Sequence, residues 1–416
     1  MTFTNLATNE AYRAILEYCQ YDINDYVLIL NIQQLTFENF LSLDYDNNSL
    51  FFKTIELSKN HSGERCSHVM RLLVEQAKQI SANMRLVVFL LSCSSRCNEQ
   101  PLQKILDLNS PDNMNHNTVH VAITFFNILN QWAQSTDYNI TSDINYFKIT
   151  RPMLTQVFLC KNKAIQDQFL MFYHLSISRN SLPLVQLQKL YLEGSMMGFR
   201  LFDVLIMNTS QENLALFYQE LRFLHQNGWI TKKDHVDILT SHALEKNGFS
   251  PIHEILSTNC PDKIMAYVQE VVSILPPSQL KAMLTKENKN HYTAIQQGLN
   301  NGSRTASLVV SALFLSLIDP NLGVFTLDEC KKMLSASHKK RLCCANKTNS
   351  YEVNQAINAT RRRINILIDQ QNKNASEFSY SSVRSTLMYF NSDPKSKVVE
   401  PALEYAISPS PTFENP

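Results

Sequence analysis

The strongest constraint on this chain is an internal repeat. A chain of similar units buries its core by stacking one unit on the next. The clearest copies read NGFSPIHEIL from Asn247, NHYTAIQQGL from Asn290 and GFRLFDVLIM from Gly198. Each opens on a polar or glycine turn, passes through an aromatic residue to Ser, Thr or Arg, and continues as a short apolar helix. Weaker copies start at Asn48, Met84, Asn117 and Arg151. Anchored at Ser49, Arg85, Asn117, Arg151, Arg200, Ser250 and Thr293, the steps are 36, 32, 34, 49, 50 and 43 residues. A second sequence recurs inside the longer steps. Thr231–Thr240, Pro277–Thr285 and Thr326–Ser335 resemble one another, and Leu35–Leu43 matches them. This insert predicts a third short helix in a unit.

The second helix of a unit is amphipathic. Ile264, Val268, Val271, Val272 and Leu275 share one face at 3.6 residues per turn. Pro261 and Asp262 suit its first turn. One helix pair cannot bury such a face alone, whereas stacked pairs can. Glycine points the same way. There are 8 glycines in 416 residues, against about 7% in an average chain. Sheets and phosphate-cradling loops need glycine; helices joined by Asn, Asp and Ser turns do not. No GxGxxG or GxxxxGK[ST] motif occurs. The expectation is an all-α protein, an α-solenoid of about seven lengthened helical repeats. The repeats run over 46–340, between an N-terminal helical cap at 1–45 and a C-terminal helical cap at 341–393. A Pro- and Ser-rich tail at 394–416 is expected to be disordered.

A net charge of +1 supplies no surplus for phosphate contacts, so nucleic acid is not an expected partner. The basic clusters Lys339–Arg341 and Arg361–Arg363 read as solvated helix ends. Nine scattered cysteines fit a reducing compartment. The N-terminus lacks a signal pattern, and the longest apolar run, Thr305–Ile318, is too short to span a bilayer. A soluble cytoplasmic protein without a transmembrane segment, metal or cofactor is expected. His116 and His120 could share a helix face as metal ligands, but no acid or Cys at ligand spacing accompanies them. Cys66 and His68 lie two apart, so on a helix they point in different directions and cannot form a catalytic dyad. Neither Cys93 with Cys97 nor Cys343 with Cys344 has a second pair to complete a zinc site.

Ser250-Pro-Ile-His253 stands where ankyrin repeats carry their Thr-Pro-Leu-His turn, and Thr118-Val-His-Val-Ala122 is a partial match. Over residues 46–340 the chain resembles a divergent ankyrin-repeat protein. It departs from that family in lacking the Gly-His pair between the helices and most hairpin glycines, and in its lengthened units. Its Asn-, Gln- and Lys-rich style is also similar to effectors that Legionella-type intracellular bacteria inject into host cells. The first resemblance implies that His253 and His120 hydrogen-bond turn backbone. The second implies a host protein as partner, translocation by a type IV system and an export signal in the C-terminal tail.

The binding candidates are the aromatics at unit starts, Phe199, Phe249 and Tyr292. In ankyrin-like stacks this position lines the concave edge, where aromatics anchor interfaces. The same position also suits packing between neighbouring units. Glu254 and Gln297 are expected on the exposed side of the first helix. The favoured function is a protein–protein interaction scaffold without catalytic residues. The alternative is an enzyme, a cysteine-dependent hydrolase or transferase, whose catalytic part would lie in residues 1–110 or 325–416. A HEAT- or TPR-like stack would change the architecture more than the function.

Overall fold

A computed structural model describes residues 6–21, 24–41, 48–80, 85–92, 99–134, 147, 149–179, 182–194, 199–241, 250–258, 260–288, 291–299, 324–326, 328–329, 362 and 365–366. Among them the chain is all-α, with eighteen helices and one isolated antiparallel bridge between Glu287 and Thr293. It divides into two compact halves, Met1–Leu190 and Tyr191–Pro416, a boundary that sequence periodicity did not mark.

The N-terminal half opens with α1 (Leu6–Tyr21), α2 (Asp25–Gln33) and α3 (Phe37–Leu41). A pattern of short first helix, long second helix and short third helix then recurs. The first set is α4 (Leu50–Leu57), α5 (Gly63–Ile80) and α6 (Arg85–Ser92). α7 (Pro101–Leu108) and α8 (His116–Gln134) follow, then α9 (Arg151–Leu159), α10 (Lys163–Ser178) and α11 (Leu184–Leu192), in which the division falls. The C-terminal half continues with α12 (Leu201–Asn208), α13 (Gln211–Gln226) and α14 (Lys232–Thr240). After these come α15 (Pro251–Ser257), α16 (Pro261–Ile274), α17 (Pro277–Thr285) and α18 (Ala294–Leu299).

Within each half like packs on like. First helices form the rows α4–α7–α9 and α12–α15–α18, and second helices the rows α5–α8–α10 and α13–α16. Aromatic residues join the rows, because large flat side chains bury the most apolar area per position. Phe125 and Phe126 of α8 meet Phe51 of α4 and Phe169 of α10 at 6.2 and 6.1 Å between ring centroids. In the C-terminal half Phe202 of α12 stacks on Phe217 of α13 at 5.5 Å and on Tyr267 of α16 at 5.9 Å.

The observed first helices correct the repeat spacing. Their N-caps are Ser49, Gln100, Thr150, Arg200 and Ser250, and Thr293 precedes α18. Successive steps are therefore 51, 50, 50, 50 and 43 residues, and six first helices lie among the described residues. Arg85 instead opens a third helix, and Asn117 lies in the first turn of the long α8. The Asn117 copy resembled a unit start because it is a helix start. Thr118 N–H donates to Asn115 Oδ1 at 2.9 Å and Asn115 N–H to Thr118 Oγ1 at 3.1 Å, a reciprocal cap open to any helix.

The third helices α11, α14 and α17 are each nine residues long. They bury matching positions: Leu187 and Tyr191; His235, Ile238 and Leu239; Leu280, Met283 and Leu284. Only α11 lacked a sequence expectation. Matching caps open α3, α14 and the segment at Thr326: Thr36 with Asn39, Thr231 with Asp234, and Thr326 with Glu329.

Scarce glycine has a visible counterpart at helix C-termini, whose last carbonyls need partners. A C-cap side chain or side chains from neighbouring elements provide them. Asn109 donates to Ile105 O, Gln166 to Val157 O, Arg200 to Asp237 O, Lys263 to Ile206 O and Tyr267 to Leu239 O. The chain leaves α9, α12, α14 and α15 through extended residues rather than a left-handed glycine.

Among the described residues no helix is long and apolar enough to cross a membrane. The run Thr305–Ile318, Lys339–Arg341, Arg361, Arg363, Cys93, Cys97, Cys343, Cys344 and the tail 394–416 lie outside the described residues. So does most of the C-terminal cap at 341–393.

Candidate functional site: the row of first-helix starts

Phe199 and Tyr292 occupy the same register, one residue before the first-helix caps Arg200 and Thr293, and both are half-buried. Phe249 precedes Ser250 but lies outside the described residues. Glu254 and Gln297 fall at the fourth helical position of α15 and α18 and are half-buried rather than fully exposed. A residue before the cap and one at the fourth helical position are the two places that a hydrophobic staple brings together. The four described candidates thus fall at these two places, and Phe249 holds the first of them in sequence.

The turns at these starts are tightly held. His253 is fully buried. Its Nδ1 accepts from the Ser250 hydroxyl at 2.8 Å and from Ser250 N–H at 3.3 Å, so Nε2 carries the proton and donates to Tyr292 O at 3.3 Å. One imidazole therefore caps α15 and fastens the turn before α18. Burial lowers its pKa, with the Tyr292 carbonyl opposing. Asn288 N–H also donates to Tyr292 O at 2.9 Å, and Tyr292 N–H to Asn288 Oδ1 at 3.1 Å. His291 completes the turn at φ 59°, in the left-handed region that His tolerates better than most side chains. The Gln297 amide donates to Ser257 Oγ at 2.7 Å and accepts from Asn288 Nδ2, so Gln297 joins α15 to α18. At the preceding start, Arg200 N–H donates to Asp203 Oδ2 at 2.8 Å. Its guanidinium donates to Asp237 O and Ser241 O, closing the C-terminus of α14.

The N-terminal half carries a charged version of the same row, which periodicity alone did not single out. Glu99 and Lys104 hold the staple positions of α7 at 3.6 Å. Lys104 also reaches Glu56 of α4 at 3.4 Å, Lys53 lies 3.3 Å from Glu56, and Lys104 sits over the Phe52 ring at 5.7 Å. Gln103 bridges to Gln156 of α9 at 3.0 Å, and Gln156 donates to Asp107. Burial pushes the Glu99 carboxyl up, Lys104 opposes this, and Asp107 adds to it. The ladder runs across three successive first helices with its charged groups partly in solvent. Lys104 has 22% and Glu56 29% of its side chain exposed, enough for a partner to reach.

A second polar cluster lies in the C-terminal half. His235 Nε2 of α14 is 3.2 Å from Glu270 Oε1 of α16, both buried, and the Arg222 guanidinium approaches the other oxygen at 3.7 Å. Burial raises the neighbouring Tyr218 hydroxyl well above its ordinary pKa, with Tyr267 and Glu270 adding. This cluster ties the third helix to the second helices. His116 and His120 share one side of α8, their rings 4.5 Å apart. Among the described residues no group of three or more His, Cys, Asp or Glu is arranged to hold a metal ion.

No family model, curated protein or solved structure matches the chain.

Proposed function

We propose that the chain is a protein–protein interaction scaffold, an α-solenoid of lengthened ankyrin-like repeats that binds a protein partner along the row of first-helix starts. The observation carrying this reading is the recurrence of one helix start at near-fifty-residue steps, packed first helix on first helix. Within each half such a row repeats one register of side chains: an ion pair at Glu99 and Lys104 in the N-terminal half, aromatics at Phe199 and Tyr292 in the C-terminal half. Several moderate contacts at regular spacing suit an extended polypeptide surface better than a small molecule. The partner is a host protein if the effector resemblance holds, and translocation by a type IV system follows from that resemblance alone.

The test uses the purified protein as bait in a eukaryotic cell lysate, followed by cross-linking mass spectrometry on any complex. A variant carrying F199S, F249S and Y292S and a second carrying K104E run beside it, with circular dichroism as the folding control. A partner cross-linked through Lys53 or Lys104, and lost from a folded variant, supports the reading. Identical captures by all three baits, or cross-links confined to other surfaces, overturn it.

A further inference from the structure

Cys19 on α1 and Cys66 on α5 are 47 residues apart in sequence, yet their sulfurs lie 3.6 Å apart. Both side chains are buried. The Cys66 thiol donates to the Cys19 sulfur, and that contact together with burial pushes the Cys66 pKa far up. Ile15, one turn before Cys19, and Val69 and Met70, one turn after Cys66, are buried too, and α1 packs against α5.

We propose that Cys19 and Cys66 are a modification site, an oxidisable thiol pair that forms an intrachain disulfide and pins α1 to α5. Glutathione disulfide is the oxidant. One cysteine loses its proton and attacks a sulfur of glutathione disulfide, releasing one glutathione thiolate and leaving a mixed disulfide. The second cysteine then attacks the protein sulfur of that mixed disulfide and releases the second glutathione. Two protein thiols give up two protons and two electrons, and one glutathione disulfide becomes two glutathione molecules.

The sulfurs need to close from 3.6 Å to about 2.05 Å, a movement within reach of side-chain rotation and a small shift of α1. The protonated, covered Cys66 does not react in the packed state, because the thiolate is the nucleophile. The first attack therefore follows a local lifting of α1 from α5. Once formed, the bond closes a long loop and restricts the unfolded chain.

The test equilibrates full-length protein in glutathione disulfide and glutathione, alkylates the remaining thiols and digests it without reduction. The expected product is one cross-linked peptide holding Cys19 and Cys66, lighter by about 2 Da than its two thiol halves. It is absent from Cys19→Ser and from Cys66→Ala, the latter keeping an apolar group in the core. Oxidation raises the melting temperature of the wild type by about 5 °C and leaves that of Cys19→Ser unchanged. Recovery of both cysteines as alkylated thiols, or as separate glutathione adducts, while other cysteines oxidise would overturn the proposal.

Discussion

At residue scale, His253 serves two turns with one ring, so its removal leaves a helix start uncapped and a carbonyl short of a donor. Replacing it with Ala should lower the unfolding free energy of the C-terminal half by about 3 kcal/mol, from the lost buried hydrogen bonds and the cavity, measured by urea denaturation. The pH dependence has a definite sign. Burial lowers the folded pKa, so the unfolded chain takes up a proton first, near pH 6.5. The contribution of neutral His253 is complete above about pH 6.5 and is lost as pH falls from there through the lowered folded value. Wild type should therefore lose more stability than His253→Gln between about pH 7.5 and about pH 5.5; equal losses would remove His253 as the cause. Gly63 makes a second case. A Cβ there would lie 2.3 Å from the Asn117 carbonyl oxygen, and the Gly63 N–H donates to Asn117 Oδ1 at 3.1 Å. Gly63→Ala should cost about 2–3 kcal/mol by forcing α5 away from α8, read from the denaturation midpoint. The role of His253 was expected from the resemblance at Ser250–His253, and its cap reaches only three residues back. Those of Gly63 and Gln297 were not, since Asn117 and Ser257 stand 54 and 40 residues away in sequence.

At the scale of elements, the helix starts were readable and their order within a set was not. First and third helices are both short apolar runs, so Arg85–Ser92 looked like a first helix until packing gave it the third place. α11 follows Pro183, as α17 follows Pro276 and α14 follows Thr231, but its likeness to them was not drawn from the sequence. The caps themselves are testable. Thr231 and Asp234 satisfy each other's backbone N–H groups at 2.9 and 3.1 Å. Thr231→Ala should cost about 1 kcal/mol, visible as faster hydrogen exchange in the first turn of α14. Phe202 carries far more, since it joins α12 to α13 and α16. Phe202→Ala should cost about 3–5 kcal/mol, and a smaller loss in thermal melts would mean that the three helices do not depend on that ring.

At the scale of the molecule, composition was enough to predict an all-α chain, because a protein so poor in glycine has few ways to turn a sheet. The period was harder to read. Steps near the ankyrin length came from Arg85 and Asn117, which begin a third and a second helix, and the first-helix starts give near-fifty-residue steps throughout Ser49 to Ser250. Candidate aromatics were visible because they precede strong caps in the C-terminal half. The Lys104–Glu56 and Gln103–Gln156 ladder was hidden because its partners meet only when first helices stack. The central claim is that a step of this length is the structural unit, and the most direct measurement is to remove one. Deleting residues 100–149 takes out α7, α8 and their connection, and brings Thr150 to the place of Gln100. A deletion of half that length, residues 100–124, removes α7 and part of α8 and breaks the register. The account predicts that circular dichroism finds the first variant helical with a cooperative melt and the second without one. Two variants that melt alike, or an in-register deletion that fails to fold, would contradict it.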